Sequence, residues 1–267
     1  AEDLAGGQDI TSVATVSGTE RVVADFVSRK SGVVAGIEMA IATLHEVGVT
    51  DIDALVKDGD VVNPGSVLLT VRGDTRAILL AERTALNFLG HLSGIATLTQ
   101  MWVKAVAGTS CVIRDTRKTT PGMRLLEKAA VVAGGGSNHR LSLSDAALIK
   151  DNHIAAAGGV NAAFAKVRQA FPDAFIEIEV DSLEQLKEVT PQSPDLVLLD
   201  NMSPAECKAA VAFVAGRFKL EASGGISLEN AKAYAETGVD YLAIGALTHS
   251  APVLDIGLDM KLEERAE

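Results

Sequence analysis

The chain has 267 residues, of which 48% are hydrophobic and 22% are charged. This composition is typical of a globular protein with a substantial core and excludes a disordered or low-complexity chain. The 24 Lys and Arg residues are outnumbered by 35 Asp and Glu residues, which gives a formal net charge of −11. Such an acidic balance disfavours a general nucleic-acid binder and a protein that binds anionic membranes.

The cysteines and the termini point to a cytoplasmic protein. Cys111 and Cys207 are the only cysteines, too few for a disulfide framework and without the paired spacing of a zinc site. The first residues carry no basic and apolar signal segment, so we expect no secretory signal. The uncharged stretch 84–103 is interrupted by polar residues, and it predicts a buried helix rather than a membrane span.

The first hundred residues predict a separate α/β sandwich. Residues 21–28 and 66–71 alternate like strands, and residues 36–47 carry one apolar helical face. Turn residues at 58–60 and 63–65 resemble the hairpin of biotinyl and lipoyl carriers. A carrier presents a lysine between methionines at that tip, and no such triplet is present, so a purely structural hairpin is the better interpretation.

The second half alternates short apolar runs with amphipathic stretches, which predicts a βα repeat and a parallel sheet. The runs begin at residues 111, 147, 175, 196, 219 and 241. Helix-start residues precede the stretches at 182–189, 204–214 and 227–237. Groups capable of chemistry follow nearly every run, which favours a barrel because a barrel collects its strand ends into one mouth.

A basic segment stands out in this acidic chain. Between residues 114 and 140 there are six basic residues and two acidic ones. Arg114, Arg117 and Lys118 leave a predicted strand together, and their mutual repulsion predicts a small, multiply anionic ligand. A solvated basic loop is the alternative. Further on, three glycines lead to His139 and Arg140, and an arginine there can grip a carboxylate through two parallel hydrogen bonds.

Three charged residues follow later strands. Lys150 allows a Schiff base with a carbonyl substrate, a charged contact with a carboxylate, or a simple pair with Asp151. Glu179 and Asp200 end successive strands, where their carboxylates can share a metal or accept hydrogen bonds from sugar hydroxyls. Glycine turns follow the last two strands at 223–225 and 244–246, where barrels commonly bind phosphate.

Together these motifs resemble the quinolinate phosphoribosyltransferase family. The resemblance runs in family order along nearly the whole chain, and its specific elements are Thr-Arg-Lys-Thr at 116–119 and Asn-His-Arg at 138–140. It rests further on the segments 82–87, 91–97, 148–153, 177–181, 198–201, 221–226 and 238–250.

The resemblance implies an enzyme that joins quinolinate to phosphoribosyl pyrophosphate with Mg²⁺ and releases CO₂, giving nicotinate mononucleotide for NAD biosynthesis. It implies an α/β fold with an N-terminal α/β sandwich domain at 1–95 and an incomplete, open α/β barrel at 96–252. A C-terminal tail at 253–267 is expected to return to the first domain. The implied assembly is a homodimer with shared active sites.

The resemblance also assigns residues. Lys118, Lys150, Glu179 and Asp200 are the implied catalytic groups, with Glu179 and Asp200 serving the magnesium directly or through water. The implied substrate-binding residues are Arg83, Thr116, Arg117, Lys118, His139, Arg140, Lys150, Glu179, Asp200, Ser223, Gly224, Gly225, Ile244, Gly245 and Ala246. Two alternatives are retained: a Schiff-base barrel lyase using Lys150, and a noncatalytic carrier or binding module.

Overall fold

The computed structural model describes residues 1–261, which form two compact units. One consists of Ala1–Leu98 with the segment that begins at Ala251, and the other is Thr99–Ser250. Part of the predicted C-terminal tail, residues 262–267, lies outside the described residues.

The first unit is built on an antiparallel sheet in the order β12-β1-β5-β3. Its strands are β1 (Arg21–Ser28), β2 (Gly32–Val33), β3 (Asp51–Ala54), β4 (Val61–Val62), β5 (Val67–Asp74) and β12 (Ile256–Lys261), of which β2 and β4 form a separate pair. Its helices are α1 (Ile10–Thr15), α2 (Ile37–Glu46) and α3 (Thr75–Ala105), the last of which continues beyond Leu98.

Apolar periodicity explains this unit's core. Ile37, Ala40 and Leu44 form the buried face of α2, as the helical spacing predicts. They belong to one apolar cluster that also contains Phe26 of β1 and Leu69 of β5. The predicted α/β sandwich is therefore confirmed, with two of its strands and its helix close to their expected positions.

The uncharged stretch 84–103 lies within α3, as predicted for a buried helix. This helix begins at Thr75, earlier than the sequence pattern suggests, where the Asp74 carboxylate accepts a hydrogen bond from the Ala77 amide at 2.9 Å. Among residues 1–261, no helix combines the length and the apolar character needed to cross a bilayer.

The second unit contains a six-stranded parallel sheet in the order β6-β11-β10-β9-β8-β7. The strands are β6 (Val112–Arg114), β7 (Ala147–Ile149), β8 (Ile176–Val180), β9 (Leu196–Asp200), β10 (Lys219–Ser223) and β11 (Tyr241–Ala243). Each matches a predicted run to within a few residues. Because β6 and β7 occupy the two ends of the strand order, the barrel is open, as expected.

Helices follow the strands of this unit. They are α4 (Arg124–Ala133), α5 (Asp151–Ala157), α6 (Val160–Ala170), α7 (Leu183–Val189), α8 (Pro204–Val214), α9 (Ala231–Ala235) and α10 (Ala246–His249), with a 3₁₀ turn at Thr190–Gln192. Ser182 and Ser203 cap α7 and α8 through the amides of Gln185 and Glu206, as the sequence predicts.

The helix predicted at 227–237 is shorter at both ends in the structure, where it spans Ala231–Ala235. Residues 228–230 form a turn, in which the Asn230 side chain accepts a hydrogen bond from the Ser227 amide at 2.8 Å. This side-chain contact offers the backbone an alternative to the helix, so α9 begins only at Ala231.

Candidate active site

A cavity of about 310 Å³ lies in the second unit at the carboxyl ends of the parallel strands. Since strands of a parallel sheet end at one edge, residues far apart in sequence meet there. Most of the residues that the sequence predicts for the site line this cavity, together with Leu148, Leu198, Glu221 and Ala243: Thr116, Arg117, Lys118, His139, Arg140, Lys150, Glu179, Asp200 and Ser223.

Two glycine turns lie beside these residues. Gly224 has a φ of +86°, and a Cβ atom there would lie 2.2 Å from Asn201 Oδ1, next to Asp200. A Cβ atom on Gly245 would lie 3.0 Å from Lys118 Cδ, and Thr248 Oγ1 donates to the Lys118 carbonyl oxygen at 2.8 Å. The second turn therefore contacts the lining residue Lys118, and the first contacts Asn201, the neighbour of the lining residue Asp200. Gly224, Gly225, Ile244, Gly245 and Ala246 are not themselves lining residues.

Arg83 is the remaining predicted site residue. It lies in α3 within the first unit, and its side chain is exposed. It is not among the residues that line this cavity, so its implied role in substrate binding stays a prediction.

Positive charge dominates one side of the cavity. Arg117 Nε is buried and has no hydrogen-bond partner within residues 1–261. Arg140 donates from Nη1 to the Ala146 carbonyl oxygen at 2.9 Å. Burial, followed by the charge of Arg117, lowers the pKa of the Arg140 guanidinium. An arginine whose charged form is destabilised by a second cation in a partly buried cavity favours an anionic ligand.

The carboxylates lie with a lysine at the next strand ends. Lys150 Nζ donates to Glu179 Oε2 in an ion pair, rather than to Asp151 as one interpretation of the sequence suggested. Asp200 Oδ2 accepts a hydrogen bond from the Asn201 side-chain amide at 2.8 Å. Glu179 and Asp200 thus present oxygen atoms to the same cavity that receives the arginines.

Beneath the cavity lies a buried ionic pair whose role sequence reasoning missed. Lys128 of α4 donates to Asp115 Oδ1, and the same oxygen accepts the His139 amide at 2.8 Å. Lys128 also donates to the His139 carbonyl oxygen at 3.2 Å. Burial raises the pKa of Asp115 and lowers that of Lys128, so each group depends on the other for its charged form. The pair ties the residue preceding Thr116 to the segment that carries Arg140.

His139 contacts protein groups through both ring nitrogens. Nε2 lies 2.8 Å from Glu177 Oε2 and 3.3 Å from Glu221 Oε1, while Nδ1 accepts the Arg140 amide at 2.7 Å. Burial opposes protonation, but the contacts with these two carboxylates outweigh it and raise the pKa of His139 to about 9. The imidazole ring therefore lines the cavity, while both of its nitrogen atoms contact other groups of the protein.

Two family models match the chain. The model described as "Quinolinate phosphoribosyl transferase, N-terminal domain" covers residues 9–93, and the corresponding C-terminal domain model covers residues 95–259. The chain belongs to the quinolinate phosphoribosyltransferase family. The sequence-based recognition is therefore confirmed.

Individual relatives agree with this assignment. The chain is 53% identical to a nicotinate-nucleotide pyrophosphorylase [carboxylating] of Mycobacterium leprae, over 97% of this chain and 93% of that protein. It is 40% identical to a probable enzyme of the same name from Bacillus subtilis, over 99% and 92% of the two chains. A crystal structure of nicotinate-nucleotide pyrophosphorylase from Ehrlichia chaffeensis superimposes on this protein with a TM-score of 0.93. The two sequences are 40% identical, and the match covers 97% of this chain and 95% of that one.

The first glycine turn allows a matched pair of substitutions. We expect Gly224→Ala to destabilise the protein by about 1–3 kcal/mol more than Gly225→Ala, because overpacking adds to its backbone strain. Both glycines have a left-handed φ, +86° and +63°, but a Cβ atom meets Asn201 only at Gly224 and finds open space at Gly225. Urea unfolding measures this difference in the free energy of unfolding. Equal destabilisation by the two substitutions would show that Asn201 moves aside without loss of stability.

Proposed function

We propose that this protein transfers the phosphoribosyl group of phosphoribosyl pyrophosphate to quinolinate and removes one carboxylate. The products are nicotinate mononucleotide, pyrophosphate and CO₂, and the reaction serves de novo NAD biosynthesis. The observation that carries the proposal is the cavity in which Arg117 and Arg140 face carboxylates at neighbouring strand ends. This charge pattern suits a dicarboxylate on one side and a sugar phosphate on the other.

Quinolinate is assigned to the cationic side. Arg117 and Arg140 supply forked donors that match carboxylate oxygens, and Lys150 adds a third cation. Thr116 and His139 also line the cavity. A bound dicarboxylate would offset the repulsion between the positive charges of Arg117 and Arg140. This explains why an acidic protein concentrates basic residues here.

Phosphoribosyl pyrophosphate is assigned to the side formed by Lys118, Glu179 and Asp200. The turns at 223–225 and 244–246 lie against Asn201 and Lys118, so backbone amides in these turns would be available to phosphate oxygens. Glu179 would exchange its contact with Lys150 for the ribose hydroxyls, which leaves the Lys150 ammonium group to bind a quinolinate carboxylate.

The transfer step follows from this arrangement. The pyridine nitrogen attacks the anomeric carbon, the bond to pyrophosphate breaks, and positive charge develops on the ribose. Glu179 and Asp200 stabilise that charge through space, while Lys118 and the glycine turns hold the departing phosphates. Placing both substrates in one cavity also converts their encounter into a step within a single complex.

Decarboxylation uses the cationic wall. Loss of the carboxylate beside the ring nitrogen leaves an electron pair on that carbon, next to a nitrogen that is now positively charged. A partly buried cavity lined by Arg117, Arg140 and Lys150 stabilises this electron pair better than bulk water does. The carbon then accepts a proton to give nicotinate mononucleotide.

The donor set fits magnesium. Glu179 and Asp200 offer hard carboxylate oxygens at one cavity wall, the ligand type that Mg²⁺ prefers together with substrate phosphates and water. We infer that these two residues hold Mg²⁺ directly or through water, and that the ion, when bound, neutralises charge on the pyrophosphate leaving group.

A homodimer and a cytoplasmic location complete the proposal. We infer from the implied family assembly that Arg83 of each subunit contributes to the partner's quinolinate site. Cys111 and Cys207 are both free, which suits a reducing compartment.

A Schiff-base lyase is not supported. The relatives described above are named as pyrophosphorylases, and Lys150 is engaged in an ion pair with Glu179. In this contact the Lys150 Nζ atom is bound to a carboxylate, whereas a Schiff base requires it to attack a carbonyl carbon.

The proposed function is tested by incubating the purified protein with quinolinate, phosphoribosyl pyrophosphate and Mg²⁺. Mass spectrometry should detect nicotinate mononucleotide, with release of one CO₂ per molecule formed. Omitting either organic substrate provides the control. A protein of verified fold that forms no nucleotide product would contradict the proposal.

A further inference from the structure

Two buried carboxylates, Glu177 and the lining residue Glu221, lie at the cavity, and the reaction as proposed does not use them. Glu177 of β8 and Glu221 of β10 have side chains that are 1% and 0% exposed. Glu177 Oε1 and Glu221 Oε1 have no hydrogen-bond partner in the described part of the chain. Burying two acidic groups beside each other is unfavourable unless nearby cations compensate them.

The compensating groups are His139 and Arg114. Glu221 Oε2 accepts from Arg114 Nη1 at 3.0 Å, and Glu221 Oε1 lies 3.3 Å from His139 Nε2. Glu177 Oε2 lies 2.8 Å from the same imidazole nitrogen, His139 Nε2. With a protonated His139, the two carboxylates and the two cations form an electrically balanced cluster.

Both partners of Glu221 act on the segment that carries Arg140. Arg114 Nη2 donates to the Asn138 carbonyl oxygen at 3.2 Å, and His139 is itself the middle residue of the segment. Glu221 therefore restrains residues 138–140 through two separate contacts. The Arg140 side chain extends from this segment into the cavity.

We propose that Glu221 is a positioning residue for the quinolinate site, holding Arg114 and His139 so that residues 138–140 present Arg140 to a substrate carboxylate. The inference rests on the proposed function for the identity of the ligand. Its mechanism is electrostatic as well as steric, because a neutral residue of equal size would keep the packing and lose the charge that retains both cations.

The charge state of His139 is part of this arrangement. The groups that face it are Glu177, Glu221, Arg114, Asp115, Lys128 and the Arg140 amide. A proton on Nε2 faces Glu177, and Nδ1 can accept the Arg140 amide only in the neutral form of the ring, so protonation of His139 releases that amide. Protonation of His139 and the orientation of the Arg140 peptide are consequently linked, and Glu221 acts on both.

Glu221→Gln tests the proposal, since it preserves side-chain volume and removes the charge. Calorimetry on the free protein should show quinolinate binding weakened at least tenfold, with phosphoribosyl pyrophosphate binding changed less than twofold. Asp240→Asn is the matched control. Asp240 pairs with Lys219 and accepts the Leu220 amide at the opposite end of the same strands, so both affinities should remain at the wild-type level.

A second readout separates positioning from general structural support. The chain has five histidines, and the NMR signal of His139 can be assigned by its disappearance in His139→Gln. We expect His139 to titrate near pH 9 in the wild type and at a lower pH in Glu221→Gln. This measurement needs no activity, and its wild-type part remains informative even if the variant fails to fold.

Three outcomes would overturn the inference. They are a wild-type His139 that titrates near pH 6.5, a His139 pKa unchanged by Glu221→Gln, or equal losses for the two substrates. Failure of the wild type to bind quinolinate would instead remove the proposed function. The titration would then still decide whether Glu221 controls His139.

Discussion

Replacing Arg140 with alanine is expected to reduce kcat/KM for quinolinate by between about 10² and 5 × 10³. A buried charge that loses its partner costs roughly 3–5 kcal/mol, and each 1.36 kcal/mol corresponds to a tenfold rate change. Arg140 reaches the cavity from a segment held by Asp115, Lys128 and His139, so its guanidinium meets the substrate already oriented. Steady-state kinetics with quinolinate varied at saturating phosphoribosyl pyrophosphate measures the effect.

Nicotinate sharpens this prediction. The wild type should prefer quinolinate strongly, because nicotinate has one carboxylate for a wall that contains Arg117, Arg140 and Lys150. In Arg140→Ala the preference should shrink, since one of the unsatisfied cations is gone. Equal efficiency of the wild type with the two acids would contradict this assignment of the cationic wall.

Arg217→Ala is the control for Arg140→Ala. Arg217 follows the end of α8 and donates to the carbonyl oxygens of Val214 and Phe213 in that helix. It is not a cavity-lining residue. Its removal should leave kcat/KM within twofold. Comparable losses in both variants would indicate that arginine removal acts through stability rather than through substrate binding.

A mixed dimer of Arg83→Ala and Arg140→Ala subunits is expected to recover activity that neither parent dimer has. If Arg83 serves the partner's site, both sites of each parent dimer lack one arginine. In the mixed dimer, one site lacks both arginines and the other lacks neither. Activity should therefore return to about half of the wild-type value per mixed dimer, because one of two sites is intact.

The experiment requires differently tagged subunits, exchange in mild denaturant, and isolation of the doubly tagged species. Arg83→Ala should also weaken quinolinate binding more than phosphoribosyl pyrophosphate binding, because it leaves both glycine turns intact. A verified mixed dimer without recovered activity would mean that Arg83 does not complete the partner's site or that the two sites must work together. A doubly tagged dimer in which both subunits carry Arg140→Ala has no intact site and supplies the background.

The sequence alone determined the repeating architecture and most of the cavity. Short apolar runs followed by capped helices specify parallel strands, and all six runs lie within a few residues of β6 to β11. Parallel strands end at one edge, so residues at those ends, such as Arg117, Lys150, Glu179 and Asp200, could be brought together without knowledge of any contact. The local sequence was sufficient to predict these features, because the end of a strand and the cap of a helix depend on residues that are neighbours in the chain.

Only the tertiary structure decided what supports this cavity. Arg114 and Glu221 are separated by 107 positions, and Lys150 and Glu179 by 29, so their pairing depends on strand order and register. Alternation could not show that Glu177 and Glu221 point inward, because strands of a parallel sheet can be buried on both faces. Burial then gives these carboxylates their effect: within a low-dielectric interior they raise the pKa of His139 and retain Arg114.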